Sequence, residues 1–308
     1  SDVYKRQDED GYPLELPVTI DGTPQVVFTL IPNRIEPGRY VVLYDGEGEI
    51  QAGSAAQAVD AKPGRVVLDL RRGENDGILN AIVIARSTRG NHVRNIRVLA
   101  EADEKADLAA NPFRQDFLDY CRQWHALRFM DWQRTNNSLE KEWSGRKRPT
   151  FYTMVGASGD AAGRRGEPPG EFPQLFSGGV ALEVIIQLAN IVEVDPWVCI
   201  PHRATPEYMR EMAKLFKEKL DPRRTVYVEF SNEMWNWQFQ QAQWMLNSRV
   251  AGELVEKGGG KPWKEAPDFS LDNGNLSRVG GDAFPERMGA LARRCFEQWE
   301  ACLLYTSP

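Results

Sequence analysis

The stretch TVYVEFSNEMWNW, residues 225–237, begins as a strand and ends in a crowded carboxylate, and it decides the fold. Thr225, Val226, Tyr227, Val228 and Phe230 are β-branched or aromatic and follow the Asp221-Pro222 break, the pattern of a short buried strand. Ser231, Asn232 and Glu233 come next, then Trp235, Asn236 and Trp237. One reading makes Glu233 a helix cap and puts the tryptophans in a core. The other makes it a chemical group, because amides and indoles gathered round one acid are costly to bury for packing alone.

On either side of this stretch strands alternate with helices, which predicts βα units and a parallel sheet. Asn111-Pro112 opens a helix over 113–124, with Phe113, Phe117, Leu118 and Cys121 at helical spacing. Residues 126–132 (ALRFMDW) read as a strand, 179–194 as a helix, and 196–201 (PWVCIP) as a strand ending at His202. Thr205-Pro206-Glu207 starts a helix that runs to Leu220, and a last helix covers 285–299. The connections 133–178 and 244–284 are rich in Gly, Pro, Arg and Asn, and loops of such length are functional or mobile. Residues 163–170 (GRRGEPPG) have the composition of a lid tip and lack the spacing of a phosphate loop.

Residues 11–99 read differently. Short strands at 26–30, 38–44, 65–70, 78–84 and 93–98 are punctuated by Pro32-Asn33, Pro37-Gly38, Asp45-Gly46, Pro63-Gly64 and Arg89-Gly90-Asn91. That is the rhythm of a small antiparallel β-sandwich. It shows no aromatic row; an accessory role and carbohydrate binding both stand. Residues 101–110, charged and Ala-rich, read as a linker.

At Asn232-Glu233 the chain resembles the retaining glycoside hydrolases built on a TIM barrel, whose fourth strand ends in Asn-Glu with the Glu as general acid/base. The resemblance covers about 111–299 as a pattern, and its specific motif is the Glu233 segment. It implies an α/β fold, a partial (β/α)8 barrel with an inserted or N-terminal antiparallel β-sandwich, whose strand ends converge on one pocket. For Glu233 it implies proton donation to a glycosidic oxygen, helped by apolar surroundings. For Asn232 it implies a contact to the sugar 2-hydroxyl. Arg128 matches the arginine that supports the family's nucleophile, and His202 the histidine near the sugar. Trp132, Trp235, Asn136 and Asn137 join them as candidate substrate contacts.

Each of these residues has a plainer reading. Arg128 is equally a structural ion pair, His202 a loop hydrogen bond, and Trp132 or Trp235 core. Glu229, with parity opposite to the core set, reads as an ion pair inside the barrel, and His92 and His125 as structural. Retention needs a second carboxylate about 5 Å from the first. The family draws it from a seventh strand, and no carboxylate here matches. The nucleophile is therefore expected to be missing from this chain, and the chain to be inactive alone.

The two ends do not read as natural protein. DVYKRQ, residues 2–7, translates GATGTGTATAAGAGACAG, and CLLYT, residues 302–306, is encoded by its reverse complement read one base in. Such an inverted repeat is the mark of a transposase-inserted sequencing adapter. Residues 1–7 and 302–308 are set aside on that reading, leaving 8–100 as sandwich, 101–110 as linker and 111–301 as barrel portion, an expected internal piece of a longer gene.

Composition narrows the classes. A chain that is 42% hydrophobic and 27% charged can bury a sizeable core. A net charge of -6 with interspersed signs argues against a nucleic-acid or membrane-surface partner. No apolar run approaches the roughly 20 residues that span a bilayer. Cys121, Cys199, Cys295 and Cys302 lack metal-ligand or disulfide-framework spacing, so no metal or cofactor is expected. No signal-peptide pattern is legible, which carries no weight where the natural start is expected upstream, and localisation stays open. The expected partner is a β-linked oligo- or polysaccharide. Two rivals stand beside the hydrolase: a non-catalytic carbohydrate-binding protein using the sandwich and exposed tryptophans, and a scaffold with no ligand.

Overall fold

A computed structural model describes residues 7–20, 22–31, 35–71, 80–154, 179–259 and 283–304. The chain divides into two units, Ser1–Pro112 with Thr150–Tyr152, and Phe113–Pro149 with Thr153–Pro308.

The first unit is antiparallel throughout. Strands β1 (Val18–Ile20) and β2 (Thr23–Gln25) form a hairpin. Strands β3 (Val27–Ile31), β4 (Gly38–Asp45), β5 (Gly48–Ser54), β6 (Gln57–Lys62), β7 (Arg65–Leu70), β8 (Asn80–Ser87) and β9 (Arg94–Ala100) make two sheets, ordered β3-β8-β5 and β6-β7-β4-β9. Alternate residues of both sheets enter one core: Tyr40, Val42 and Tyr44 of β4, Ile50 of β5, Val66, Leu68 and Leu70 of β7, and Ile82 and Ile84 of β8. The turn after β4 needs Gly46, since φ is +90° and a Cβ there would sit 2.0 Å from the His92 carbonyl oxygen. Strands β5 and β6 were not expected. Every residue of β6 is exposed, so it carries no apolar alternation to read. Residues 101–104 also differ from a free linker: Arg65 grips Glu104 through Nε (2.6 Å) and Nη2 (2.8 Å), and Arg39 Nε lies 2.8 Å from Glu101.

The second unit carries the parallel sheet. Strands β10 (Ala126–Arg128), β11 (Asp195–Ile200) and β12 (Tyr227–Phe230) pair in that order. Around them are α1 (Gln115–Cys121), α2 (Leu182–Val192), α3 (Pro206–Lys219), α4 (Gln240–Asn247), α5 (Arg249–Lys257) and α6 (Ala283–Leu304). The core joins Val198, Ile200 and Phe230 of the sheet to Ile185, Leu188 and Val192 of α2, Met209, Met212 and Phe216 of α3, and Leu291, Cys295 and Trp299 of α6. Helix α3 starts where its sequence says it should: Thr205 Oγ1 accepts from Tyr208 N (3.2 Å), and Pro206 needs no N–H partner in the first turn. Helix α2 is entered through Gly179, where a Cβ would lie 1.7 Å from the Trp132 carbonyl oxygen.

The partial (β/α)8 barrel expected from the sequence is not the fold observed. Among the described residues, parallel pairing is confined to one open three-stranded sheet, the other sheets are antiparallel, and none closes. A barrel closes through tilt and register stagger shared by eight strands. Here three short strands leave two edges. Residues 129–132, expected to prolong β10, leave the sheet instead: Phe129 N still donates to Trp197 O (2.9 Å), but Thr135 turns back on Met130 O through both N (3.1 Å) and Oγ1 (3.0 Å). Helix α5 and the second half of α4 occupy sequence read as connection, separated by Ser248, whose Oγ caps α5 at Ala251 N (3.4 Å). The 163–170 segment, Ile78-Leu79 and Pro32-Asn33 lie outside the described residues. No helix among the described residues is long and apolar enough to cross a membrane.

Candidate functional site

Register builds the site. Arg128 pairs with Trp197, Trp197 with Tyr227, and Cys199 with Glu229, so these side chains share one face of the parallel sheet, while Val198, Ile200 and Phe230 point into the core. On that face Arg128 is bidentate on Glu229, with Nε to Oε2 at 3.0 Å and Nη2 to Oε1 at 2.9 Å. Trp197 Nε1 donates to Glu229 Oε2 (3.0 Å), and the guanidinium lies 5.3 Å from the Trp197 ring centre. Cys199 Sγ also donates to Glu229 (3.5 Å). Burial, then the Glu229 charge, pushes this thiol up to about 12. It remains a donor and is no nucleophile at neutral pH.

Arg128 reaches one step further, with Nη2 to Asn232 Oδ1 at 2.8 Å. The other end of that amide is also held, Nδ2 donating to Asn136 Oδ1 (2.9 Å). Gln241, on the first turn of α4, donates to Asn136 Oδ1 (2.7 Å) and to Asn232 O (3.0 Å), and accepts from Asn137 N (2.9 Å). Asn137 Oδ1 in turn accepts from Gln240 N (2.8 Å), closing the start of a helix that lacks a cap of its own. The two residues flanking Asn232 are left-handed without being glycine: Ser231 at φ +58° and Glu233 at φ +42°. Such conformations cost of order 1–3 kcal/mol each and persist where surroundings over-determine them. The amide network is that surrounding.

The expected site residues separate into two groups. Arg128, Asn232, Asn136 and Asn137 are joined by the bonds above, with Glu233 beside them in the chain. Asn232 is 3% exposed, and the bonds at both ends of its amide hold the turn. The Glu233 carboxylate is half-buried and accepts from Asn236 Nδ2 in its own turn (3.0 Å). Trp235 stands 60% exposed and Trp237 is also open. The other group takes no part in those bonds. Trp132 stacks on Phe117 (centroids 5.8 Å, 15°) and packs against the core. His202 is 1% exposed, edge-on to Trp244 at 5.4 Å, and its Nδ1 meets no hydrogen-bond partner among the described residues. Burial, then the Arg203 charge, pushes it down to about 3, so it is a neutral core imidazole at ordinary pH.

Sequence reasoning passed over Gln241 and Trp197. The signal for Gln241 was present: it shares a helical face with Ala242, Met245 and Leu246, all buried, and an amide in an apolar stripe asks for partners. A second buried polar pair, Tyr208 Oη donating to Glu140 Oε2 (2.5 Å), lies beside Lys147 and belongs to the α3 packing. Among the described residues no group of three or more His, Cys, Asp or Glu could hold a metal. The chain finds no match among protein-family models, curated proteins or solved structures.

Proposed function

We propose that this chain carries the acid/base half of a retaining glycoside hydrolase acting on a β-linked glycan, with Glu233 as general acid/base and no turnover by the chain alone. The observation that carries the reading is the doubly left-handed turn at Ser231 and Glu233, clamped at Asn232 by Arg128, Asn136 and Gln241. Strain fixed by a buried network presents one carboxylate at a parallel strand end, next to an exposed indole whose flat face suits the C–H face of a sugar. In that role Glu233 protonates the leaving oxygen and then takes a proton from the incoming water. The attacking carboxylate is not assigned: Glu229 is committed to Arg128, Trp197 and Cys199.

The test does not need turnover. An epoxyalkyl β-glycoside is opened by a properly placed carboxylate, whose oxygen bonds to the epoxide carbon while the ring oxygen takes a proton. Mass spectrometry is expected to find the label on Glu233, blocked by excess free glycan and absent from Glu233→Gln. Labelling scattered over other carboxylates, or unaffected by glycan, overturns the proposal. The exposure of Trp235 and Trp237 favours a second reading, non-catalytic glycan binding. It predicts affinity lost on Trp235→Ala with no selective label on Glu233.

A further inference from the structure

We infer that Gln241 is a positioning residue for Glu233, acting through Asn136 and Asn232; the inference rests on the role proposed above for Glu233. Gln241 is 0% exposed. An amide buried there is tolerable only if its donors and acceptor are answered, and an apolar residue would avoid the desolvation cost altogether. Two of the three contacts made by Gln241 lead to the same turn, and the third receives Asn137 N beside it in the chain. Nε2 holds Asn136, whose Oδ1 also receives Asn232 Nδ2, and Nε2 holds the Asn232 carbonyl oxygen directly.

That last bond matters for geometry. The Asn232 carbonyl belongs to the peptide plane that ends at Glu233 N, and φ of Glu233 is rotation out of that plane. Fixing the oxygen fixes the plane against which the left-handed φ of +42° is set. With Arg128 on Asn232 Oδ1, side chain and carbonyl are both pinned, and the direction of the Glu233 side chain follows. A residue that merely joined α4 to the sheet would have no reason to reach the carbonyl between two strained residues.

The experiment compares wild type, Gln241→Leu, Gln241→Glu and Met245→Ala. Gln241→Glu keeps the size and the acceptor for Asn137 N but loses both donors, and it serves if Gln241→Leu does not fold. Met245 is buried on the same helix, and its side chain takes no part in the network, so Met245→Ala reports plain loss of packing. The readout is the left-handed signature of Ser231 and Glu233 in HN–Hα couplings and Cα shifts. It is expected to be lost in both Gln241 variants and kept in Met245→Ala. Epoxide labelling of Glu233 should slow by about tenfold or more, with glycan affinity changed little, since small misplacements act on rate. A folded Gln241 variant that keeps the signature overturns the inference, as does a Met245→Ala variant that loses it equally. If wild type neither binds nor labels, the hydrolase reading fails while the spectroscopic comparison still decides the role of Gln241.

Discussion

His202 should make the second unit acid-labile, and the size of the effect follows from its burial. The unfolded chain takes up a proton on this ring near the ordinary value of about 6.5, whereas the folded protein holds out until about 3. The unfolded state therefore binds the extra proton, and stability falls as pH falls through that window. At about 1.4 kcal/mol per unit the ring costs about 2 kcal/mol between pH 7 and 5, and about 4 kcal/mol by pH 3. The perturbation is His202→Phe, which keeps a ring edge against Trp244, removes the titration and eliminates the unanswered Nδ1. All 9 tryptophans fall after residue 112, so fluorescence-monitored urea unfolding follows the second unit alone. Wild type is expected to lose about 2 kcal/mol more than the variant on going from pH 7 to 5. Equal pH slopes for the two proteins refute the reasoning. So does a folded-state NMR titration placing His202 near 6.5, easily followed with only 3 histidines in the chain.

Tyr208→Phe removes the hydroxyl that answers the buried Glu140 carboxylate and should cost about 2 kcal/mol of the same unfolding free energy. Gly179→Ala drives a methyl into the Trp132 carbonyl, so the entry to α2 must shift; a loss of at least about 2 kcal/mol is expected, read as a drop in Tm. In a double-mutant cycle, Arg128→Met and Glu229→Met together should cost less than the sum of the two, by about 1 kcal/mol after allowing for the partial exposure of both groups. Strict additivity would mean that the ion pair contributes nothing.

Local chemistry was legible where one residue type settles one element. Thr205-Pro206 announced α3, the apolar spacing of 179–194 announced α2, and Asp45-Gly46 announced the turn after β4. Long-range closure was not. Alternating strands and helices suggested a ring, but whether a parallel sheet closes depends on strand number and stagger, which no single stretch encodes. The fully exposed β6 carries no apolar alternation, and the apolar stripe of the second unit's Gln240–Asn247 helix runs for only 8 residues, too short to read as a period, so both were missed. In the site, Arg128, Asn232 and Asn136 proved to be neighbours, whereas Trp132 and His202 were drawn into packing. A tryptophan or neutral histidine near a strand end serves either purpose, and only the three-dimensional partners decide.

The turn at 231–233 offers a way to separate stability from chemistry. If its only task were to end β12, glycine at the left-handed positions would do so without steric cost, and Asn232 would need no clamp. The chain instead places Ser and Glu there and surrounds the amide between them with Arg128, Asn136 and Gln241. Relief of a left-handed residue is worth about 1–2 kcal/mol, while glycine forfeits roughly 0.5–1 kcal/mol of chain entropy and the Asn236 contact is lost at a half-exposed site. Glu233→Gly should therefore leave the second unit as stable as wild type or more stable by up to about 1 kcal/mol, while eliminating the epoxide label. On the proposal above, a carboxylate kept against that balance is there for what it would do to a ligand. Should Glu233→Gly cost as much as a core deletion, Glu233 would be a structural residue, and the hydrolase proposal would lose its main support.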